Sequence, residues 1–192
     1  MTPAPTLASG QEHIAGERPM WFFVIGELWI FTCYFACYAY DRGQNHALYL
    51  EAQQQLSQGF GVANTIVLLT SSLLIALSVQ ALREGRAAAA STLLASGGAC
   101  GVGFLIIKSV EWYLKLDAGF TLSTNGFFMY YYMLTGLHVL HVMLGLGILV
   151  YLGRRLKTAE GPQAVSFETG ATYWHMVDLL WIIIFALLYL LR

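Results

Sequence analysis

The chain has 192 residues, of which 57% are hydrophobic and 11% charged, with a formal net charge of -1. A soluble domain carries about 25% charged residues, so this composition argues against a water-exposed globule, and near-neutrality leaves no electrostatic footprint for nucleic acid. Cys33, Cys37 and Cys100 all lie in apolar runs, which argues against a disulfide framework and reads as small buried hydrophobes.

In chain order, the first element is a tail, residues 1–19 (MTPAPTLASGQEHIAGERP). It lacks a basic segment followed by a short apolar core and a cleavage site, so it reads as a polar cytoplasmic tail and not a signal peptide. Residues 20–192 then read as one all-α transmembrane domain. A helix crosses hydrocarbon with about 20 residues because it satisfies its own backbone hydrogen bonds there. Five segments meet that length, at about 20–40, 62–82, 88–114, 126–152 and 171–191. The predicted architecture is a polytopic bundle of five transmembrane helices.

Between the first two spans, Asp41, Arg42, Gln44, Glu51 and Gln53 to Gln55 are too polar for the bilayer. Spans two and three are joined by a few residues around Gly85, which makes them antiparallel neighbours. Small residues concentrate in the third span, from Ala87 to Ala90 and from Ser96 to Gly103, and would let it approach a neighbour closely; Gly145 and Gly147 offer the same in the fourth. Arg18, Arg83, Arg86, Arg154, Arg155 and Lys157 fall on one side of the membrane, and Arg42, Lys115 and Arg192 on the other. Basic residues resist translocation, so the amino terminus is expected in the cytoplasm and the carboxyl terminus outside.

Ionisable groups inside spans are costly and need a partner, a cavity or water. Glu27 lies about seven residues into the first span, on the order of 10 Å deep. It reads either as a proton-active or lipid-facing carboxyl beside a partner subunit, or as an acid hydrogen-bonded within the bundle. Lys108 and Glu111 share one helix face at three-residue spacing and read as an ion pair. His138 and His141 in the fourth span, and His175 and Asp178 in the fifth, repeat that spacing. A metal site is one reading, because metals take imidazoles from different helices. The last pair, however, is expected only four to seven residues from the start of its span, so the four groups need not meet. Hydrogen bonds across helices, with Asp178 orienting a neighbour, are the leading reading. No Cys-x-x-Cys-His, phosphate loop or charge pattern repeated across spans points to catalysis by this chain.

These motifs occur in an order that resembles subunit III of the heme-copper oxidases. They are GELWIF with Glu27, NTIVLLTSS with Asn64 and Thr65, SVEWY with Glu111, TGLHVLHVMLG with His138 and His141, and YWHMVDLLW with Trp174, His175, Asp178 and Trp181. Ser123, Thr124 and Asn125 stand where the family has Tyr-Gly-Ser. The five-helix length is similar to bacterial quinol-oxidase subunits and to subunit-III-like proteins associated with nitric oxide reductase, and GERPMWFFVIGE and LSTNGFFMYYYMLTG look closer to the latter. The resemblance implies an accessory, non-catalytic membrane subunit of a respiratory electron-transport complex, reducing oxygen or, in denitrification, nitric oxide. It implies catalytic subunit I as partner, bound phospholipid, heme and copper held by partner chains and none by this one, and a bacterial plasma-membrane location. Support of proton uptake is the implied role, with Glu27, Asn64, Glu111, His138, His141, Trp174, His175 and Asp178 in proton-uptake or packing roles. A proton or small-solute transporter, or an assembly factor, is the alternative reading.

Overall fold

The computed structural model describes residues 18–156 and 164–191. Most of the amino-terminal tail, as well as Lys157 and Arg192 from the charge count, lies outside the described residues. Six helices follow one another: α1 (Arg18–Gln44), α2 (His46–Gln54), α3 (Gln58–Arg83), α4 (Ala87–Asp117), α5 (Gly126–Arg155) and α6 (Ala164–Phe185), which runs into a π-helical turn at Ala186–Leu190. Five of them are long and apolar enough to cross a membrane, as the sequence predicts.

The outer surface inverts the pattern of a soluble bundle. Phe22, Trp29, Ile66, Leu73, Ile106 and Leu140 are exposed, while Asn64, Ser71, Lys108, Glu111 and His138 are fully buried. Lipid explains the inversion, because an apolar side chain costs nothing against hydrocarbon and a polar one needs an internal partner. Cys33 and Cys37 belong to the exposed set, and Cys100 is intermediate. The expectation that they are buried is therefore corrected for α1, whose apolar run is mostly lipid-facing surface.

Helices α3 and α4 form the tightest antiparallel pair, turning at Gly85, whose φ of 75° is a left-handed conformation that glycine adopts without a Cβ penalty. Two serines lock the pair: Ser71 donates to the Gly97 carbonyl at 2.7 Å and Ser78 to the Ala90 carbonyl at 2.8 Å. A Cβ at Gly97 would fall 2.7 Å from Ile75 Cδ1, so the small-residue expectation holds there. Gly145 has a different use. Together with Gly101 of α4 it makes the slot for the Trp174 ring, since a Cβ would reach that ring at 2.9 Å from Gly145 and at 2.7 Å from Gly101. Gly147 meets nothing.

The polar segment after α1 is helical. Asp41 and Arg42 extend α1, and α2 follows as a short helix with Tyr49, Ala52 and Gln53 buried. Asp41 accepts from the Tyr130 hydroxyl at 2.6 Å, and Arg42 donates to the Leu191 carbonyl at 2.7 Å, so α1 is tied to α5 and to the carboxyl-terminal turn. Burial, followed by the nearby Asp41 charge, pushes the Tyr49 phenol up to about 12, which keeps it neutral. In the turn after α3, hydrogen bonds from Arg86 and Gln80 hold the exposed Glu84 carboxyl below its ordinary value.

Asn125 caps α5, with its side-chain oxygen accepting from the Phe128 amide at 2.9 Å. Replacing it by Ala should lower stability by about 1 kcal/mol in thermal unfolding, and Ser should retain most of the cap. Equal stability of the Ala and Asn forms would show that the cap is idle.

Candidate functional site

Among the described residues three polar groupings stand out in the bundle, at different places. The first is wholly enclosed. Lys108 of α4 donates to Glu111 Oε2 at 2.9 Å, to the Tyr189 hydroxyl at 2.9 Å and to the Tyr131 hydroxyl at 3.3 Å. Three donations use the full set of ammonium hydrogens. Tyr189 in turn donates to Glu111 Oε1 at 2.6 Å, closing a ring of Lys108, Tyr189 and Glu111. The Lys108 nitrogen also lies 4.6 Å from the Tyr131 ring centroid, so the cation meets π density as well as oxygen. The predicted ion pair is present, but the two tyrosines that complete it were not predicted. Tyr189 reaches it from the π-helical turn, whose carbonyls at Leu187 and Tyr189 are taken by Tyr38 at 3.1 Å and Gln58 at 3.1 Å.

The second grouping joins α1 to α5. His141 Nε2 lies 3.1 Å from Glu27 Oε2, and His141 Nδ1 lies 2.7 Å from the Leu137 carbonyl. A carbonyl only accepts, so Nδ1 carries a hydrogen. The Nε2 contact then needs one further hydrogen, held either on the carboxyl or on the imidazole. Glu27 and His141 therefore form a hydrogen bond across which either group can hold the hydrogen. Phe31 packs edge-on to the imidazole at 5.4 Å, and Tyr173 donates to the His141 carbonyl at 3.3 Å. The side chains of His141 and Glu27 keep 15% and 20% exposure, which leaves this pair reachable from the bundle surface.

The third grouping lies between α3 and α6. His175 Nδ1 is 2.6 Å from the Ser72 hydroxyl, and Arg83 clasps Glu168 through Nη2 at 2.7 Å and Nε at 3.1 Å. A cavity of about 230 Å³ opens beside them, lined by Gln80, Arg83, Glu168, Thr172 and His175 among others. Because α6 starts at Ala164, His175 and Asp178 lie deeper than their sequence expectation, roughly 11 to 14 residues from the helix start and on the order of 20 Å along it. The depth estimate is corrected, yet the four polar groups still do not converge.

His138 departs from the network expectation. It is fully buried, neither ring nitrogen has a hydrogen-bond partner, and its ring packs against Phe104 at 5.4 Å and Trp181 at 5.3 Å. Trp181 itself donates to Thr65 at 3.0 Å. Asp178 is buried with Oδ1 unpartnered, so its predicted orienting hydrogen bond is not made through that oxygen. Asn64 and Trp174 likewise hold buried polar atoms without partners. Among the described residues no three His, Cys, Asp or Glu side chains are grouped to hold a metal.

The family model described as cytochrome c oxidase subunit III matches residues 15–192. Cytochrome c oxidase subunit 3 of Synechocystis sp. is 34% identical over 88% of this chain and 72% of its own length. That of Alkalihalophilus pseudofirmus is 31% identical, covering 89% of this chain and 84% of the relative. A protein of Aeropyrum pernix named heme-copper oxidase subunit I+III is 30% identical over 89% of this chain, which spans 22% of that longer protein. A match over nearly the whole chain, together with five apolar helices, settles the family: the chain belongs to the cytochrome c oxidase subunit III family and is an accessory subunit of a heme-copper oxidase.

Proposed function

We propose that this chain sits beside catalytic subunit I of an oxygen-reducing oxidase in a bacterial plasma membrane, stabilises it, and supports proton uptake through the Glu27–His141 pair. The observation that carries this reading is the 3.1 Å contact between Glu27 of α1 and His141 of α5 at a partly exposed position. Such a pair can pass a proton between a carboxyl oxygen and an imidazole nitrogen, and it gains or loses one only when water or a group of the neighbouring subunit at its exposed edge supplies or accepts it. The oxidase names of the relatives favour oxygen over nitric oxide as the acceptor. The amino terminus faces the cytoplasm in this reading, in keeping with Arg83, Arg86, Arg154 and Arg155 on one face of the bundle and Arg42 and Lys115 on the other. Heme and copper belong to partner chains, and phospholipid fills the grooves of the lipid-facing surface.

The test is Glu27→Gln in the purified complex, which keeps a hydrogen bond to His141 but cannot exchange the proton. Heme content and initial rate should be unchanged, while the number of turnovers before inactivation and the rate of proton uptake fall. Unchanged sustained turnover in both Glu27→Gln and a complex lacking the chain would refute the role. Stoichiometric heme or copper on the isolated chain would refute the accessory reading. Proton flux in liposomes holding only this chain would favour a transporter instead.

A further inference from the structure

Tyr189 is 1% exposed, and its hydroxyl donates across 2.6 Å to Glu111 Oε1. That length is the one found where an O–H is held by an ionised oxygen. Lys108 pairs with the other carboxylate oxygen at 2.9 Å, and its nitrogen donates to the Tyr189 oxygen at 2.9 Å. The phenol thus has a base in contact with its hydrogen and a donor in contact with its oxygen, in a cage whose lysine and glutamate are 1% and 0% exposed. Tyr130 makes a bond of the same length to Asp41, but Asp41 is only partly buried, so water competes for that proton.

Taking an electron from an enclosed phenol would leave a second cation in a medium of low dielectric unless the proton leaves as well. Glu111 Oε1 is the acceptor in contact. We propose that Tyr189 is a redox-active side chain. The electron passes to a one-electron oxidant, which is reduced by one equivalent, while the Tyr189 O–H bond breaks and an O–H bond forms at Glu111 Oε1. A neutral phenoxyl remains, still accepting from Lys108, and the positive charge gained by the cage rests on that lysine. Its nitrogen lies 4.6 Å from the Tyr131 ring centroid, 5.3 Å from that of Trp181 and 5.5 Å from that of Tyr189, so ring faces hold the cation once its counter-ion is neutralised. Return of one electron reverses both transfers.

A row of oxidisable rings leads outward from the cage. Tyr131 accepts from the same lysine nitrogen at 3.3 Å, and its ring centroid lies 5.0 Å from that of Tyr132, which lies 6.2 Å from that of Trp112. Tyr131 is fully buried, whereas Tyr132 and Trp112 are partly exposed, so the row joins the cage to the bundle surface. An oxidant outside the bundle reaches Tyr189 through it. The source of that oxidant rests on the reading that the partner reduces oxygen, a reaction that supplies one-electron oxidants at the partner's own centre.

Laser-flash oxidation of the full chain in detergent by photogenerated ruthenium(III) tris(bipyridine), followed by freezing and electron paramagnetic resonance, tests the site without any partner. Ring-deuterated tyrosine identifies the carrier by narrowing the signal. A tyrosyl radical that outlives those of exposed tyrosines should form, be lost in Tyr189→Phe and be kept in Tyr130→Phe. Lys108→Met combined with Glu111→Gln keeps the tyrosine and its hydrogen bond but accepts no proton, so it too should lose the radical. Formation should be slower in chain equilibrated with heavy water, and slower in Trp112→Phe. A long-lived signal surviving in Tyr189→Phe or in the folded double variant, or its absence from the unaltered chain, would overturn the site; an unchanged rate in Trp112→Phe would overturn the row. The same signal from the whole complex treated with hydrogen peroxide would support the partner as the source of the oxidant. Its absence there, with the flash signal present, would refute that source and uphold the tyrosine.

Discussion

Lys108→Met should cost about 3–5 kcal/mol, the loss expected when one member of a buried ion pair is removed. The reason is what remains. Glu111 is wholly buried and would keep tyrosine hydroxyls but no cation, while Tyr131 would lose the lysine donor at its oxygen. Denaturant unfolding of the purified chain in mild detergent measures the loss. Pairing the change with Glu111→Gln should restore much of it, because the amide still accepts from Tyr189 and no charge is stranded. A single-variant cost under about 1 kcal/mol would mean that water or lipid replaces the lysine, contrary to the enclosed geometry.

Trp181→Ala should cost a similar amount, about 3–5 kcal/mol, because the fully buried ring fills the space between Phe104, at 4.8 Å, and His138, at 5.3 Å. Substitution by Phe separates packing from hydrogen bonding. Trp181→Phe gives up the 3.0 Å bond to Thr65, worth about 1 kcal/mol, whereas Trp174→Phe gives up a ring nitrogen that has no partner. The first Phe variant should therefore melt below the second. The opposite order would show that the Trp174 ring, wedged against Gly101 and Gly145, carries more of the core than Trp181 does.

Asn64, His138, Trp174 and Asp178 each hold at least one buried polar atom without a partner, and they have a common feature: each is a motif residue of the family resemblance, and each is buried in the bundle. A buried polar atom without a partner costs free energy that packing alone does not return. His138, held between two aromatic rings with both nitrogens idle, is the clearest case. Spacing made it look like half of a pair with His141. The two residues are three apart on α5, but His141 turns to Glu27 of α1 and His138 to Phe104 and Trp181 in the interior.

What sequence alone determined is what depends on the solvent and on the local helix. Hydrocarbon demands self-satisfied backbone over about 20 residues, so five spans are legible from apolar length. The Lys108–Glu111 contact is legible for a similar reason, because three residues on one helix meet whatever surrounds them. The start of α6 was not legible. The span was expected at about 171–191, and Glu168, which lies before that start, is held in the bundle by Arg83, 85 positions away. The same holds for every contact that closes the bundle. Glu27 and His141 are 114 positions apart, Lys108 and Tyr189 are 81 apart, and Ser72 and His175 are 103 apart. Tertiary packing decided which polar side chains share a hydrogen bond, which complete a cage and which remain unpaired, because a helix face has no partner until another helix is laid against it.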